Sequence, residues 1–275
     1  MLKLRIITAV CMALAFLAML FSLSPVAFSV AILPIVIMAG WEWSNLSKLT
    51  SLSQKLLFLG FLICCLWGSA IWINIADGFD FQKSKVLLII AVGLWSVILL
   101  WIQGYPSSAL LWYSKPVLVI LGATLLVATW VSIVSVLFHS FGQWYLLLGI
   151  VIVAMVDIGG FFVGKVFGKR KLAPVVSPGK TWEGFAGGMI FQLSIILAII
   201  LILPNQVPNH HFLLIFPVAL FAVVGDLFES MIKRETGVKD SGSILPGHGG
   251  ILDRIDGVMA AMPLFALLIH FIGVN

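Results

Sequence analysis

Charged residues are scarce in this chain of 275 residues: Asp, Glu, Lys and Arg make up only 10% of it, and hydrophobic residues make up 61%. Soluble domains carry roughly 25% charged residues, so this composition excludes an ordinary soluble protein. The three cysteines all lie within apolar runs, which excludes a disulfide framework. The net charge of +5 is spread over short connections between apolar runs, so it does not indicate a nucleic-acid partner.

Two common site motifs are also missing. The sequence has no His and Cys spacing of the kind that binds zinc, and it has no GxxxxGK[ST] phosphate-binding loop. No internal repeat or low-complexity linker is visible. These absences leave the apolar runs and the few charged stretches as the informative parts of the chain.

Long apolar runs fill most of the sequence. The hydrocarbon core of a bilayer is about 30 Å thick and an α-helix rises about 1.5 Å per residue, so about 20 apolar residues can cross it. The sequence therefore predicts an all-α polytopic integral membrane protein with about nine transmembrane helices. The close spacing of the fifth and sixth runs leaves counts of eight and ten open. The predicted spans are 4–21, 26–41, 55–73, 86–103, 116–138, 144–164, 184–203, 212–230 and 256–274.

Lys and Arg in the connections predict the orientation. If the N-terminus is cytoplasmic, 14 of the 16 basic residues lie on that side, and only Lys83 and Lys85 lie opposite. We therefore expect a multi-pass protein whose two polar cytoplasmic loops, 165–183 and 231–255, form the active site.

The two halves of the chain differ in polar content. Residues 1–140 form the predicted N-terminal transmembrane region, where Glu42 lies between two tryptophans at a helix end and is expected to be solvated. Residues 141–275 form the predicted C-terminal catalytic region, which contains a charged motif at 225–256.

The motif at 225–256 concentrates ionisable side chains in an otherwise apolar protein. Charges near a bilayer are costly unless they are paired, hydrated or bound to metal, so their retention indicates function. The ionisable residues of this motif are Asp226, Glu229, Lys233, Arg234, Glu235, Lys239, Asp240, His248, Asp253, Arg254 and Asp256.

A polar stripe marks the end of the predicted eighth span. Asp226, Glu229, Ser230 and Lys233 fall within about a 100° arc of one helix. An internal ion pair that merely lets the helix end near the headgroups is one interpretation. A site that continues into the following loop is the other.

The loop after this stripe is rich in glycine at 247–250, and Asp253 and Asp256 follow it. Glycines let backbone N–H groups approach an anion, and acids three residues apart share a helix face. Together with Asp226, these two acids form a candidate site for a hard divalent cation. Mg²⁺ takes oxygen ligands of this kind, and a second cation beside it stays open.

The other polar loop supplies basic and hydroxyl side chains, at 165–171 and in the run SPGKTWEG at 177–184. Such residues suit a nucleotide polyphosphate. A positive loop that only contacts anionic lipid headgroups is the alternative. Asp157 lies inside the predicted sixth span, where an acid is expected to face a polar cavity.

The run at 230–256, SMIKRETGVKDSGSILPGHGGILDRID, resembles the signature of the phosphatidate cytidylyltransferases, also called CDP-diacylglycerol synthases. The run Gly225-Asp226-Leu227 and the motif at 177–184 match the same family. One departure lies after Asp157, because Ile158 and the pair at 161–162 stand where the family carries hydroxyl residues.

The resemblance implies transfer of the cytidylyl group of CTP to phosphatidate, which gives CDP-diacylglycerol and pyrophosphate in phospholipid biosynthesis. It implies Mg²⁺ as cofactor, a lipid substrate held in the bilayer, a bacterial-type cell inner (plasma) membrane, a site on the cytoplasmic side and no nucleic acid. Families of this kind often form homodimers, although no interface stands out in this sequence.

The resemblance also assigns roles to individual residues. For His248, a phosphate donor and a loop-structuring residue are both open. The predicted catalytic residues are Asp226, Lys233, Arg234, Lys239, Asp240, His248 and Arg254. The predicted substrate-binding residues are Asp157, Ser177, Lys180, Thr181, Glu183, Ser230, Gly249 and Gly250. The predicted metal ligands are Asp226, Asp253 and Asp256.

Three rival functions follow from the residues alone. An isoprenoid-alcohol kinase also joins a nucleotide to a membrane lipid, but it needs a base to activate a hydroxyl. A transporter for phosphorylated metabolites explains charges in the membrane, yet here the charges crowd onto one side and no internal symmetry is visible. A membrane scaffold does not need three acids beside a glycine-rich loop.

Overall fold

In the part of the chain that the structure describes, the protein is a bundle of helices with one small β-hairpin. The computed structural model describes residues 2–202, 212–244 and 249–272. The first half contains α1 (Leu2–Ser22), α2 (Pro25–Ala31), α3 (Leu33–Leu46), α4 (Leu52–Trp72), α5 (Phe81–Gln103), α6 (Ala109–Trp112) and α7 (Lys115–Leu137). The second half contains α8 (Gly142–Phe167), β1 (Lys171–Ala173), β2 (Ser177–Thr181), α9 (Trp182–Ile202), α10 (Phe212–Thr236) and α11 (Leu252–Ile272).

Local sequence signals explain where several helices begin. The Ser24 hydroxyl accepts a hydrogen bond from the backbone N–H of Ala27 at 3.2 Å, and Pro25 occupies the first helical position of α2. Ser51 caps α4 in the same way. The Asp80 carboxylate accepts two backbone N–H groups at the start of α5, each at 3.0 Å. Side-chain oxygens at these positions satisfy amides that have no partner within the helix.

Five helical segments are long and apolar enough to cross a membrane, by length and composition among the described residues. They are Pro25–Leu46, Leu52–Trp72, Phe81–Gln103, Lys115–Leu137 and Gly142–Phe167. These five match the second to sixth predicted spans, which confirms a multi-pass helical membrane protein. The other predicted spans coincide with α1, α9, α10 and α11, and their crossing of the membrane stays a prediction, as does the count of nine.

The all-α prediction missed one element, the antiparallel hairpin β1–β2. Lys171 pairs with Thr181 and Ala173 pairs with Ser177. The loop predicted at 165–183 is therefore partly ordered as strands. Its basic residues and its Ser-Pro-Gly run gave no alternating apolar pattern from which a strand could have been predicted.

Helix α7 lies at the centre of the bundle. In the most apolar 18-residue stretch of α7, 67% of the residues are buried. In the corresponding stretch of α4 only 22% are buried, so α4 faces outward. The indole N–H of Trp43 in α3 donates to the Leu118 carbonyl of α7 at 2.8 Å. The indole N–H of Trp130 donates to the Ser29 carbonyl at 3.0 Å. These bonds attach α2 and α3 to the core.

Close helix contacts bring the charged motifs together. Helix α8 packs along α9 and helix α10 packs along α11. A Cβ atom placed at Gly187 would lie 2.4 Å from the Val163 side chain, and one at Gly225 would lie 2.2 Å from the Asp256 carbonyl oxygen. Small residues allow such close approach in membrane helices. The acids of α10 and α11 therefore face one another across a short gap.

The contact between Gly122 and Trp43 gives a test of this core. A Cβ atom at Gly122 would lie 1.9 Å from the Trp43 indole nitrogen, whereas one at Gly93 would contact nothing within 4 Å. Because overpacking a tight core costs about 1–3 kcal/mol, we expect Gly122→Ala to lower the thermal unfolding temperature of the purified protein in detergent. Gly93→Ala is the matched control and should show no decrease. Equal behaviour of both variants would contradict the packing described here.

Candidate active site

A cavity of about 730 Å³ lies where α8, the hairpin, α10 and α11 meet. It collects charged side chains from both predicted polar loops and from the helices α8, α10 and α11. The acids on its wall are Asp157, Asp226, Glu229, Asp240, Asp253 and Asp256. The bases on its wall are Lys165, Lys180, Lys233 and Arg254. The structure thus brings together residues that are up to about a hundred positions apart in the sequence.

Lys233 connects α10 to α11. Its ammonium group contacts Glu229 Oε2 at 2.9 Å, one turn earlier in the same helix, and Asp253 Oδ1 at 2.7 Å in α11. Glu229 is buried, with 2% of its surface exposed. The internal ion pair considered from the sequence is therefore present, and it continues into the motif after the loop. The Ser230 hydroxyl donates a hydrogen bond to Asp226 Oδ1 at 3.3 Å, which orients the Asp226 carboxylate.

Lys180 connects the hairpin to α10. It lies on β2 and forms an ion pair with Asp226 Oδ2. Ser177, Gly179 and Thr181 of the same strand also line the cavity. The strand therefore presents the Ser-Pro-Gly-Lys-Thr run to the acids of α10, as the sequence motif had suggested.

The corner between β2 and α9 is held by two side chains that were predicted to bind substrate. The Thr181 hydroxyl accepts the backbone N–H of Gly184 at 3.1 Å. The Glu183 carboxylate accepts the backbone N–H groups of Lys169 and Arg170, each at 3.0 Å. Glu183 lies outside the cavity wall among the described residues. Its position therefore indicates a role in fixing the basic loop.

Asp253 organises the loop of the signature motif. Its carboxylate accepts the backbone N–H of Ser241 at 3.1 Å and that of Gly250 at 2.8 Å. Gly249 has a φ of +82°, which favours glycine. The Gly250 N–H, predicted to face a bound anion, is thus directed to Asp253. Both ends of the loop are attached to the same carboxylate.

Several predicted residues lie elsewhere. Among the described residues, those absent from the cavity wall are Arg234, Lys239, Glu183, Ser230, Gly249 and Gly250. The Arg234 guanidinium donates to the Val176 carbonyl at 3.3 Å and so supports the hairpin. Lys239 is exposed. His248 lies outside the described residues, and its role stays a prediction.

The carboxylates allow a test of the predicted magnesium site. In the part of the chain that the structure describes, no group of three Asp, Glu, His or Cys side chains is arranged to hold one ion. Asp253 is engaged by Lys233 and by two backbone amides, Asp226 is engaged by Lys180 and Ser230, and all three acids lie on the cavity wall. Mg²⁺ is usually held by one or two carboxylates together with waters and substrate phosphates. Carboxylate oxygens of this kind are donors that Mg²⁺ takes, and the assignment of Asp226, Asp253 and Asp256 as its ligands stays a prediction.

The prediction that Glu42 is solvated was wrong. Its side chain is only 1% exposed, and it accepts hydrogen bonds from Ser241 and Leu252 of the signature motif. The acid lies in an apolar run far from the motif, so local sequence could show only its unusual setting. Tyr105 is a second long-range contact, because its hydroxyl donates to Glu235 of α10 at 2.9 Å.

The apolar helices and the charged cavity define a multi-pass membrane protein with a site suited to phosphate chemistry. The profile of the cytidylyltransferase family matches residues 3–272. The chain belongs to that family.

Two relatives agree along nearly the whole chain, and a third agrees along about half of it. A phosphatidate cytidylyltransferase of Haemophilus influenzae is 37% identical over 294 residues, which cover 99% of this chain and all of the relative. A phosphatidate cytidylyltransferase of Pseudomonas aeruginosa is 36% identical over 292 residues, which cover 99% of this chain and 98% of the relative. A Bacillus subtilis protein of the same name is 45% identical over 131 residues, 47% of this chain and 49% of its own length.

Glu183 gives a pH-dependent test of the hairpin corner. It precedes the predicted span 184–203, and the pKa of its carboxyl lies below the ordinary value because backbone N–H groups, first that of Lys169, donate to it. A lowered pKa in the folded state means that this stabilisation is present at neutral pH and is lost as the pH falls below about 4.3.

We therefore expect Glu183→Gln to unfold at a lower temperature than the wild type at pH 7, with a difference that shrinks as the pH is lowered through this range. Thermal unfolding of the purified protein measures it, and Asp77→Asn, at an exposed loop position, is the control. A difference that grows at acid pH would contradict this assignment.

Proposed function

We propose that this protein transfers the cytidylyl group of CTP to phosphatidate, giving CDP-diacylglycerol and pyrophosphate. The observation that carries the proposal is the cavity itself, where the two sequence motifs of the family meet at the ends of apolar helices. Relatives named phosphatidate cytidylyltransferase match nearly the full chain, which supports the same activity here. We place the protein in a bacterial-type inner membrane with the cavity on the cytoplasmic side, where CTP is available.

For this reaction the protein needs mainly to position the two substrates and to neutralise their charge. A phosphate oxygen of phosphatidate attacks the α-phosphorus of CTP, and the bond from that phosphorus to the bridging oxygen of the β-phosphate breaks. The electron pair leaves with pyrophosphate. The attacking phosphate is already an anion at neutral pH, so no general base is needed. This distinguishes the proposal from a lipid-alcohol kinase, which must deprotonate a hydroxyl.

The cavity bases are placed for this task. Lys180 and Lys233 are each paired with an acid on a neighbouring element, so their ammonium groups are fixed before any substrate binds. Arg254 and Lys165 lie on the same wall. We assign these four side chains to the triphosphate and the lipid phosphate. Ser177 and the backbone around Gly179 complete the hairpin side of the site.

Charge balance supports a divalent cation. The wall carries six acids against four bases, a formal charge of −2, and both substrates are anions. Asp226 and Asp256 would hold Mg²⁺ there, and its charge would offset that of the triphosphate. The two acids would act as ligands, whereas Asp253 accepts the loop amides and contacts Lys233.

A second cavity can accommodate the acyl chains of the lipid substrate. An apolar cavity of about 460 Å³ lies beside the charged one, and Leu172, Phe185 and Val223 line both. Leu220, Leu227 and Trp182 extend it along α10 and α9. We propose that an acyl chain of phosphatidate lies in this apolar cavity while its phosphate reaches the charged one. The lipid then enters sideways from the cytoplasmic leaflet without leaving the bilayer.

The activity is tested directly by following label from α-³²P-CTP into lipid with purified protein in mixed micelles. We expect incorporation that needs phosphatidate and Mg²⁺ and stops with EDTA. An isoprenoid alcohol as the only acceptor should give no labelled lipid. If a folded preparation labels no lipid with phosphatidate present, the proposed activity is wrong, and uptake of phosphorylated metabolites into vesicles becomes the next assay.

Asp253→Asn tests the loop of the signature motif. The neutral amide cannot balance Lys233, and its NH₂ group would face the two backbone N–H donors that Asp253 accepts. We expect cytidylyl transfer to fall at least about tenfold, equivalent to about 1.4 kcal/mol of activation free energy. Asp77→Asn removes the same charge at an exposed loop position and should leave the rate unchanged. A folded Asp253→Asn protein with full activity would remove this residue from the site.

Leu220→Trp tests the proposed place of the acyl chain. A larger side chain at this wall position should fill part of the apolar cavity. We expect activity on long-chain phosphatidate to fall more than activity on a short-chain, soluble phosphatidate. Leu100→Trp makes the same change at an outward position of α5 that is 64% exposed, and should affect neither substrate. Equal losses on both chain lengths would contradict the proposal.

A further inference from the structure

Glu42 is a buried acid outside the cavity. It belongs to α3 in the first half of the chain, and 1% of its surface is exposed. Burying a carboxylate is costly unless hydrogen bonds replace its lost water. The chain nevertheless keeps this acid between Trp41 and Trp43, in a run that is otherwise apolar. Its contacts show what it does there.

The carboxylate of Glu42 accepts hydrogen bonds from both ends of the signature loop. Its Oε2 atom accepts the backbone N–H of Leu252 at 2.9 Å and the hydroxyl of Ser241 at 3.3 Å. Leu252 is the first residue of α11, so its N–H has no acceptor within that helix. Glu42 therefore supplies from α3 the cap that α11 lacks, and a negative charge is favourable at this helix end.

Two glycines of the motif fit closely around the Glu42 carboxylate. A Cβ atom at Gly242 would lie 2.3 Å from Glu42 Oε1, and one at Gly250 would lie 2.6 Å from Oε2. Neither glycine has the positive φ that would by itself require glycine. At Gly242 the small residue is thus explained by the space that Glu42 occupies, and at Gly250 by Glu42 together with the Ser241 hydroxyl, which an added Cβ atom would approach even more closely.

The same loop residues connect Glu42 to the cavity. The Ser241 backbone N–H donates to Asp253, as does that of Gly250, and Asp253 contacts Lys233 at 2.7 Å. Glu42 and Asp253 therefore both accept hydrogen bonds from residues at the two ends of the loop. Only Asp253 lies on the cavity wall. A shift of the loop would move Asp253 and, through it, the Lys233 ammonium group.

We propose that Glu42 is a positioning residue for cytidylyl transfer, which anchors the signature loop and the start of α11 so that Asp253 and Lys233 keep their places on the cavity wall. The role is that of a hydrogen-bond acceptor. It rests on the proposed function, because the loop matters for rate only if the cavity is where the transfer occurs.

Two substitutions of Glu42 test whether its role is that of a hydrogen-bond acceptor: one keeps an acceptor and the other is apolar. Glu42→Gln keeps a carbonyl oxygen that can accept the Leu252 N–H, and we expect it to retain most of the wild-type kcat. Glu42→Leu has a similar size but no acceptor, and we expect its kcat to fall at least tenfold per folded molecule. Ser44→Ala, which removes a buried hydroxyl bonded within α3 itself, is the control and should be neutral.

Hydrogen exchange supplies a readout besides activity. Backbone amides covering Ser241 and Leu252 should exchange faster in Glu42→Leu than in the wild type, while those of the α7 core should not change. An activity loss that only follows a loss of folded protein, or unchanged exchange at these amides, would overturn the proposal. So would a Glu42→Gln protein as inactive as Glu42→Leu.

The close contact between Gly242 and Glu42 allows a second, independent experiment. Gly242→Ala should lower kcat in the wild-type background, because its methyl group meets the Glu42 carboxylate. In a Glu42→Ala background the same change should cause no further loss, since the space is then free. Gly60→Ala, which would contact nothing within 4 Å, is the control. Additive effects of the two changes would contradict a shared mechanism.

These experiments distinguish failure of the positioning role of Glu42 from failure of the proposed cytidylyl transfer. If the wild type transfers no label to phosphatidate, the proposed function is wrong. If the wild type is active and the folded Glu42→Leu protein is equally active, the function stands and the positioning role is wrong.

Discussion

Charge pairing between different structural elements is the interaction on which this site depends. In an apolar bundle an isolated charge is costly, and here the central bases are paired across element boundaries, Lys180 with Asp226 and Lys233 with Asp253. Removing one partner would leave the other charge uncompensated. The pairs therefore connect the hairpin, α10 and α11, and they hold cationic groups where an anionic substrate would need them.

The helix packing makes these pairs geometrically possible. Gly225 lets α10 approach the backbone of α11 at Asp256, and Gly187 lets α9 approach α8 beside Val163. Each contact lies within a few turns of a charged residue on the cavity wall. Side chains as short as aspartate can then face one another across the helix interface. The small residues of the second half thus serve the site as well as the bundle.

Much of this arrangement could be predicted from the sequence, and the limits are physical. Length and hydropathy predicted the helical class and the spans 26–41 to 144–164, and the charged motifs contain most of the charged residues on the cavity wall. The hairpin was missed because its strands carry no alternating apolar pattern. Glu42 was misjudged because its partner Leu252 is 210 residues away. The assignment of Asp226, Asp253 and Asp256 as metal ligands stays a prediction, since spacing shows a shared helix face but not which groups already contact each carboxylate.

The balance of charges explains why an acidic cavity can serve two anionic substrates. Six acids and four bases line the wall, and Lys180 and Lys233 are already paired with acids. A divalent cation at Asp226 would offset the acid that now balances Lys180, which would leave that lysine available to the phosphates. Binding of nucleotide and cation is then mutually dependent, because each compensates the charge that the other introduces. Asp253 differs from Asp226 in this respect. Hydrogen bonds from two backbone N–H groups and the contact with Lys233 keep its carboxylate engaged in the loop.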